Sequence, residues 1–265
     1  MKEETMFVHE TGTPGTPAIV FLHGNGANGT MWNSHMAQLA EYHCMAPDFP
    51  GFGRSRHLEW VSLASTAEGI INLVQERTPK ERVHIVGLSL GGSLAMVMLG
   101  LAPHLVDHAI IDGAGVQPLP GLPVMKVGLC LLQPFMHTDL VIRAIAGMIK
   151  IPSDDYEDFR RGMLSMSPSS FTRSFIQANM MRVPPGFEFE NVASRVLFVA
   201  GEREPEPVRQ SQALFAQRLP NAESRIAPRM GHGWLAEAPD LHLRMVRAWL
   251  QDGPLPQELA RAREV

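Results

Sequence analysis

The chemistry-bearing residues of this chain fall in a few short runs, of which Val83 to Gly92, V-H-I-V-G-L-S-L-G-G, is the most informative. Val83, Ile85 and Val86 make a β-branched apolar run that reads as a buried strand. Gly87 opens a turn, and residues 93–99 continue as an apolar helix. Gly-x-Ser-x-Gly between a strand and a helix is the setting of a nucleophile elbow, with Ser89 as nucleophile. A serine on so tight a turn has strained backbone angles, and side chains at Gly87 or Gly91 would collide with the neighbouring strand or helix. The hydroxyl then stands out at the top of the sheet, at a helix N-terminus whose dipole favours developing negative charge. A second run, His23-Gly24-Asn25-Gly26, follows the apolar stretch 18–22. A loop there can aim the Asn25 amide at a carbonyl oxygen held at Ser89. The His23 side chain reads instead as a hydrogen-bonded structural histidine.

The elements that must position these groups alternate. Strands are expected at 6–9 (an edge), 18–22, 43–46, 83–86, 106–111, 195–201 and 223–227, with helices over 31–42, 63–77, 208–219 and 240–250,. Such alternation implies an α/β fold with a mostly parallel, doubly wound sheet and right-handed crossovers. Residues 116–190 differ in character. They are rich in Met, Leu, Pro and Phe, with helical stretches at 124–132, 140–149, 156–163 and 169–181 and no strand candidate. The tail after Gly253 is polar, proline-bearing and reads as dispensable.

The bulk properties exclude several classes. A chain of 265 residues with 45% hydrophobic and 19% charged residues is an ordinary globular protein with a sizeable core,. A net charge of −4 gives no electrostatic case for nucleic acid or an anionic membrane,. The N-terminal residues lack the apolar run of a signal peptide and no stretch is long enough to span a bilayer, so a cytoplasmic protein is expected. Cys44 and Cys130 are far apart and read as buried free thiols. No H-E-x-x-H or C-x-x-C spacing implies a metal. The Gly-x-Gly patterns at 24–26 and 51–53 lack the helix and acidic residue of a dinucleotide site, so no cofactor is expected.

H-G-N-G at 23–26, D-F-P-G-F-G-R-S at 48–55, G-L-S-L-G-G at 87–92 and G-H at 231–232 together resemble the α/β-hydrolase fold superfamily. The matches run in that family's order from Ile19 to about Leu250. The resemblance implies a core domain of residues 1–115 and 191–265, and a helical cap of residues 116–190 over the elbow. It also implies an oxyanion hole from the amides of Leu90 and Asn25. The cap would supply an apolar pocket with Met125, Leu129, Phe135, Met163, Phe171 and Phe175 as lining, joined by Trp234 from the core.

A serine hydroxyl needs a base, and the base an orienting acid. His232, in Gly231-His232-Gly233 after the last expected strand, stands where the family carries its base. For the acid two positions stay open. Glu204 occupies the aspartate place of the family's Gly-x-x-Asp, with Glu202 and Glu206 as near neighbours. Asp112 ends the preceding strand, where some members carry the acid instead. The implied activity is cleavage of carboxylic esters of apolar small molecules through an acyl-enzyme. Lactonase, perhydrolase and carbon–carbon hydrolase chemistry use the same triad, and a ligand-binding receptor with little turnover is the reading from another class. Serine rather than aspartate at the elbow sets the chain apart from the dehalogenases and epoxide hydrolases of this fold.

Overall fold

The computed structural model describes residues 5–262 apart from positions 80, 119–120, 150, 152, 182 and 184–186. Strands β1 (Val8–Thr11), β2 (Ala18–Leu22), β3 (His43–Pro47), β4 (Val83–Leu88), β5 (Val106–Asp112), β6 (Arg195–Gly201), β7 (Ala222–Ala227) and β8 (Ala260–Arg261) form one sheet in the order β1-β3-β2-β4-β5-β6-β7-β8. The six inner strands run parallel; β1 and β8 lie antiparallel at the two edges. β2, β3 and β4 are buried along their whole length, as strands covered on both faces must be,.

Alternation along the strands divides the core in two. Val20, Leu22, Ile85 and Ile111 join one cluster with helices α2 (Leu63–Arg77) and α3 (Leu90–Leu101). Ile19, Phe21, Val86 and Ile110 face the other, with α1 (Asn33–Gln38) and the later helices α9 (Trp234–Glu237) and α10 (Pro239–Leu250). Between β5 and β6 lie α4 (Leu122–Leu132), α5 (Asp139–Ile149), α6 (Tyr156–Leu164) and α7 (Pro168–Asn179), with no strand among the described residues. Helix α8 (Glu206–Arg218) links β6 to β7. Among the described residues no helix is long and apolar enough to cross a membrane.

The helix expected over 31–42 is shorter. Gly29–Trp32 is a 3-10 turn, α1 follows, and a turn from Leu39 to Tyr42 carries both side chains into the second cluster. Cys130, expected to be buried, is exposed on α4, while Cys44 is buried in β3; both thiols are free. The tail is not dispensable in its contacts. β8 pairs with β7 and closes one sheet edge, and Leu259 is buried in the second cluster. An unpaired edge strand is a template for aggregation, so covering it has a structural use. Leu259→Ala should therefore cost about 2 kcal/mol, read as a lower denaturant midpoint with an unchanged slope.

Candidate active site

The C-terminal ends of the parallel strands gather the candidate residues. Ser89 sits between β4 and α3 at φ 56° and ψ −111°, a conformation that costs a non-glycine residue on the order of 1–3 kcal/mol. Close packing imposes it. A Cβ on Gly87 would lie 2.4 Å from the Gly91 carbonyl oxygen, and one on Gly91 would lie 2.1 Å from the Leu22 carbonyl oxygen. The turn is pinned from the side by the Ser89 N–H, which donates to the Asp112 carbonyl at 2.7 Å. Leu90 is the first residue of α3, where N–H groups have no intrahelical acceptor,.

His232 lies on the loop after β7. Its Nδ1 hydrogen-bonds both oxygens of the Glu204 carboxylate, at 3.0 and 2.9 Å. Glu204 is buried, between β6 and α8, whereas Glu202 and Glu206 are exposed. Glu202 accepts from the Arg229 amide and Glu206 from the Gln210 side chain. Burial alone would lower the His232 pKa, but the charge of Glu204 and its hydrogen bond outweigh that and raise it. The pair lies against the end of β5: a Cβ on Gly113 would be 2.7 Å from Glu204 Oε1 and 3.0 Å from His232 Nδ1. Ser89 and His232 thus both abut the Asp112-Gly113 peptide. No hydrogen bond among the described residues joins the Ser89 hydroxyl to His232, whose Nδ1 is taken by Glu204.

Asp112, the other candidate acid, has a different setting. Its side chain points to the α10 face, where the Trp234 indole N–H donates to Oδ1 at 2.9 Å and His242 Nε2 lies 3.4 Å from Oδ2. Burial above all, with the charge of Glu204, pushes its pKa up to about 8 despite the Trp234 bond. At neutral pH it is a protonated carboxyl that can donate to His242 Nε2. His242 Nδ1 in turn meets His35 Nε2 at 2.9 Å, and burial depresses both histidines to about 3. The three groups line up as an uncharged buried chain in which His35 and His242 are hydrogen-bonded, while Asp112 Oδ2 and His242 Nε2 face each other without a hydrogen bond. Asp112 thereby touches both limbs of the site, Ser89 through its carbonyl and the His232 loop through Trp234. Sequence gave no sign of this chain, since its members are up to 207 residues apart.

The remaining candidates divide. The Asn25 side chain is tied to α7, donating to the Phe171 carbonyl at 3.1 Å and accepting from the Ser174 hydroxyl at 3.0 Å. Met163 and Phe171 are buried against the same loop, 2.8 and 3.2 Å from where a Cβ on Gly26 would lie. Phe175 stacks on Phe171, and Leu129 packs against the large apolar cluster to which Met163 and Phe171 belong. Met125 and Phe135 are 37% and 56% exposed, because the chain around α4 turns only part of its apolar surface inward. Trp234, expected to join the lining, is fully buried beneath the site with its indole N–H on Asp112. His23 holds the loop together, as expected. Its Nε2 accepts from the Phe49 amide at 3.1 Å, which leaves Nδ1–H to donate to the Gly24 carbonyl at 2.9 Å. Burial lowers its pKa to about 4, so it stays neutral.

Residues 19–242 match the family model described as the Alpha/beta hydrolase family. The chain belongs to the alpha/beta hydrolase family. An AB hydrolase superfamily protein of Gibberella zeae is 24% identical over 97% of this chain and 87% of its own length. A pimeloyl-[acyl-carrier protein] methyl ester esterase of Pectobacterium carotovorum is 37% identical over 38% of each chain. The enol-lactonase of Burkholderia xenovorans superposes with a TM-score of 0.78 at 15% identity, covering 93% of this chain and 96% of its own. Within this hydrolase fold the Asp112 environment makes a distinct prediction. A carboxyl whose folded pKa rises from 3.8 to about 8 adds stability that is complete below the lower value and lost as pH climbs through the higher one. Asp112→Asn keeps an acceptor for Trp234 and a donor for His242. Relative to Asp112→Asn, the wild type should lose stability between pH 4 and 8, as measured by urea denaturation across that range.

Proposed function

We propose that this chain is a serine hydrolase that cleaves carboxylic esters of apolar small molecules through an acyl-enzyme. The observation that carries the reading is the His232–Glu204 contact beside a serine held in strained elbow geometry. With Nδ1–H donating to Glu204, the His232 Nε2 lone pair is the base. His232 takes the Ser89 proton as the hydroxyl attacks the substrate carbonyl. The backbone amides of Leu90 and Asn25 stabilise the oxyanion of the tetrahedral intermediate. His232 then protonates the leaving alcohol, and a water activated by the same imidazole releases the acid and restores Ser89. Glu204 holds the imidazole in the required tautomer and stabilises its charged form. The helical segment 116–190 serves as the cap, with Met163 and Phe171 against the acyl group. The relatives named above lend support, one being described as a methyl ester esterase and the other as an enol-lactonase.

Ser89→Ala should abolish turnover of a short-chain nitrophenyl ester and labelling by a fluorophosphonate while the circular dichroism spectrum stays unchanged. Labelling without turnover in the wild type would instead indicate a receptor. Glu204→Gln should lower kcat by about 10³–10⁴-fold, and Asp112→Asn should leave it little changed; the reverse order would move the acid to Asp112. The base must be neutral, so a raised His232 pKa sets the acid limb of kcat/KM above the ordinary histidine value of 6.5. Glu204→Gln should shift the residual limb downward.

A further inference from the structure

A second cluster of chemistry-bearing side chains lies at the opposite end of the same two strands. The β4–β5 register changes from Val83 opposite Val106 to Ile85 opposite Ala109. Two residues of β5, Asp107 and His108, therefore oppose the single residue His84. This two-against-one bulge brings three potential ligand atoms within 4.8 Å of one another. Bulges of this kind re-aim side chains and recur at functional sites. The cluster is about 17 Å along the strand from Ser89, at roughly 3.3 Å per residue, and plays no part in the chemistry above.

The electrostatics of the cluster are incomplete. His84 is 8% exposed, and its Nδ1 is buried without a hydrogen-bond partner, 3.8 Å from Asp107 Oδ2. The imidazole therefore faces the carboxylate with no hydrogen bond between them. His108 Nδ1 is 3.1 Å from the same Oδ2, while its Nε2 is 3.1 Å from Asp252 Oδ1. If Nε2–H donates to Asp252, the Nδ1 lone pair faces a carboxylate oxygen, and a cation belongs between them. Two positive side chains lie close by. Arg82 bonds Asp107 at Oδ1, 2.9 Å away, and Arg195 pairs with Asp252.

We propose that His84 Nδ1, His108 Nδ1 and Asp107 Oδ2 form a binding site for a borderline divalent cation such as zinc. Two imidazoles and one carboxylate suit that class of metal. Ligand bonds of about 2.0–2.1 Å in a tetrahedron place neighbouring ligand atoms about 3.4 Å apart. The two separations to Asp107 Oδ2, 3.1 and 3.8 Å, bracket that spacing, and all three ligand atoms lie within 4.8 Å of one another. Asp252 supplies the outer carboxylate that fixes the His108 tautomer, as metal-bound histidines ordinarily require. Solvent reaches the site past Asp107, which is about one-third exposed. The ion would clip β4, β5 and the chain after α10 together at the base of the sheet.

The test uses the full chain, stripped with a chelator and titrated with Zn²⁺ by calorimetry, and with Co²⁺ by visible absorption. One equivalent should bind, raise Tm and, with Co²⁺, give the intense bands of a tetrahedral site. His84→Gln and the isosteric Asp107→Asn should each weaken binding by about a hundredfold or more. Removing the exposed His57 and His104 should leave it unchanged. Asp107→Asn alters a half-buried side chain and serves if His84→Gln fails to fold. Absence of binding to the wild type, binding unaffected by both ligand substitutions, or loss on removing the exposed histidines would overturn the site.

Discussion

The hydrogen bond from the Ser89 amide to the Asp112 carbonyl, 2.7 Å long, is the constraint on which the candidate site depends. It joins the ends of β4 and β5 at the point where β4 gives way to α3. Ser89 holds its positive φ here, and Gly91 packs so closely on Leu22 that only a residue without a side chain fits at that position. The strain is local, and the sheet around it is paired on both sides. An over-determined surrounding structure is what allows such a conformation to persist.

Two buried aspartates show how differently this fold treats one side chain. Asp48 loses solvation on burial, but a hydrogen bond from His9 and the amides of Arg54 and Gly29 more than offset this and hold its carboxyl below the usual range. It is a charged hub that ties β1 to the loops after β2 and β3. Asp112 has only an indole N–H and a neutral imidazole, so burial prevails and it keeps its proton. The consequence for the candidate site is electrostatic. Glu204 is left as the carboxylate in contact with His232, and the imidazole has one orienting charge rather than two competing ones.

Much of this was legible in local sequence. The glycines at 87 and 91 marked the elbow because only a residue without a side chain permits that approach, and the backbone confirms the crowding. The apolar run at 18–22 read correctly as a central strand because burial on both faces needs no alternation,. Helix α2 was readable to its ends, its start fixed by the Ser62–Ser65 capping box. The tail was misjudged. Leu259 and the two residues of β8 carry too few positions for a periodic signal, and their value comes from an edge that another part of the chain leaves open.

The sequence alone determined the α/β alternation, the family, the serine at the elbow and the histidine after the last central strand, because each is written in contiguous residues whose spacing has a local physical cause. Only the tertiary structure decided between Glu204 and Asp112 as the hydrogen-bond partner of His232, and set the Trp234 indole on Asp112. It alone set His84 against Asp107 and His108. Those outcomes depend on strand register, on which face a side chain takes, and on how deeply each carboxyl is buried. All three are fixed by residues remote in the chain, so a linear pattern carries no trace of them.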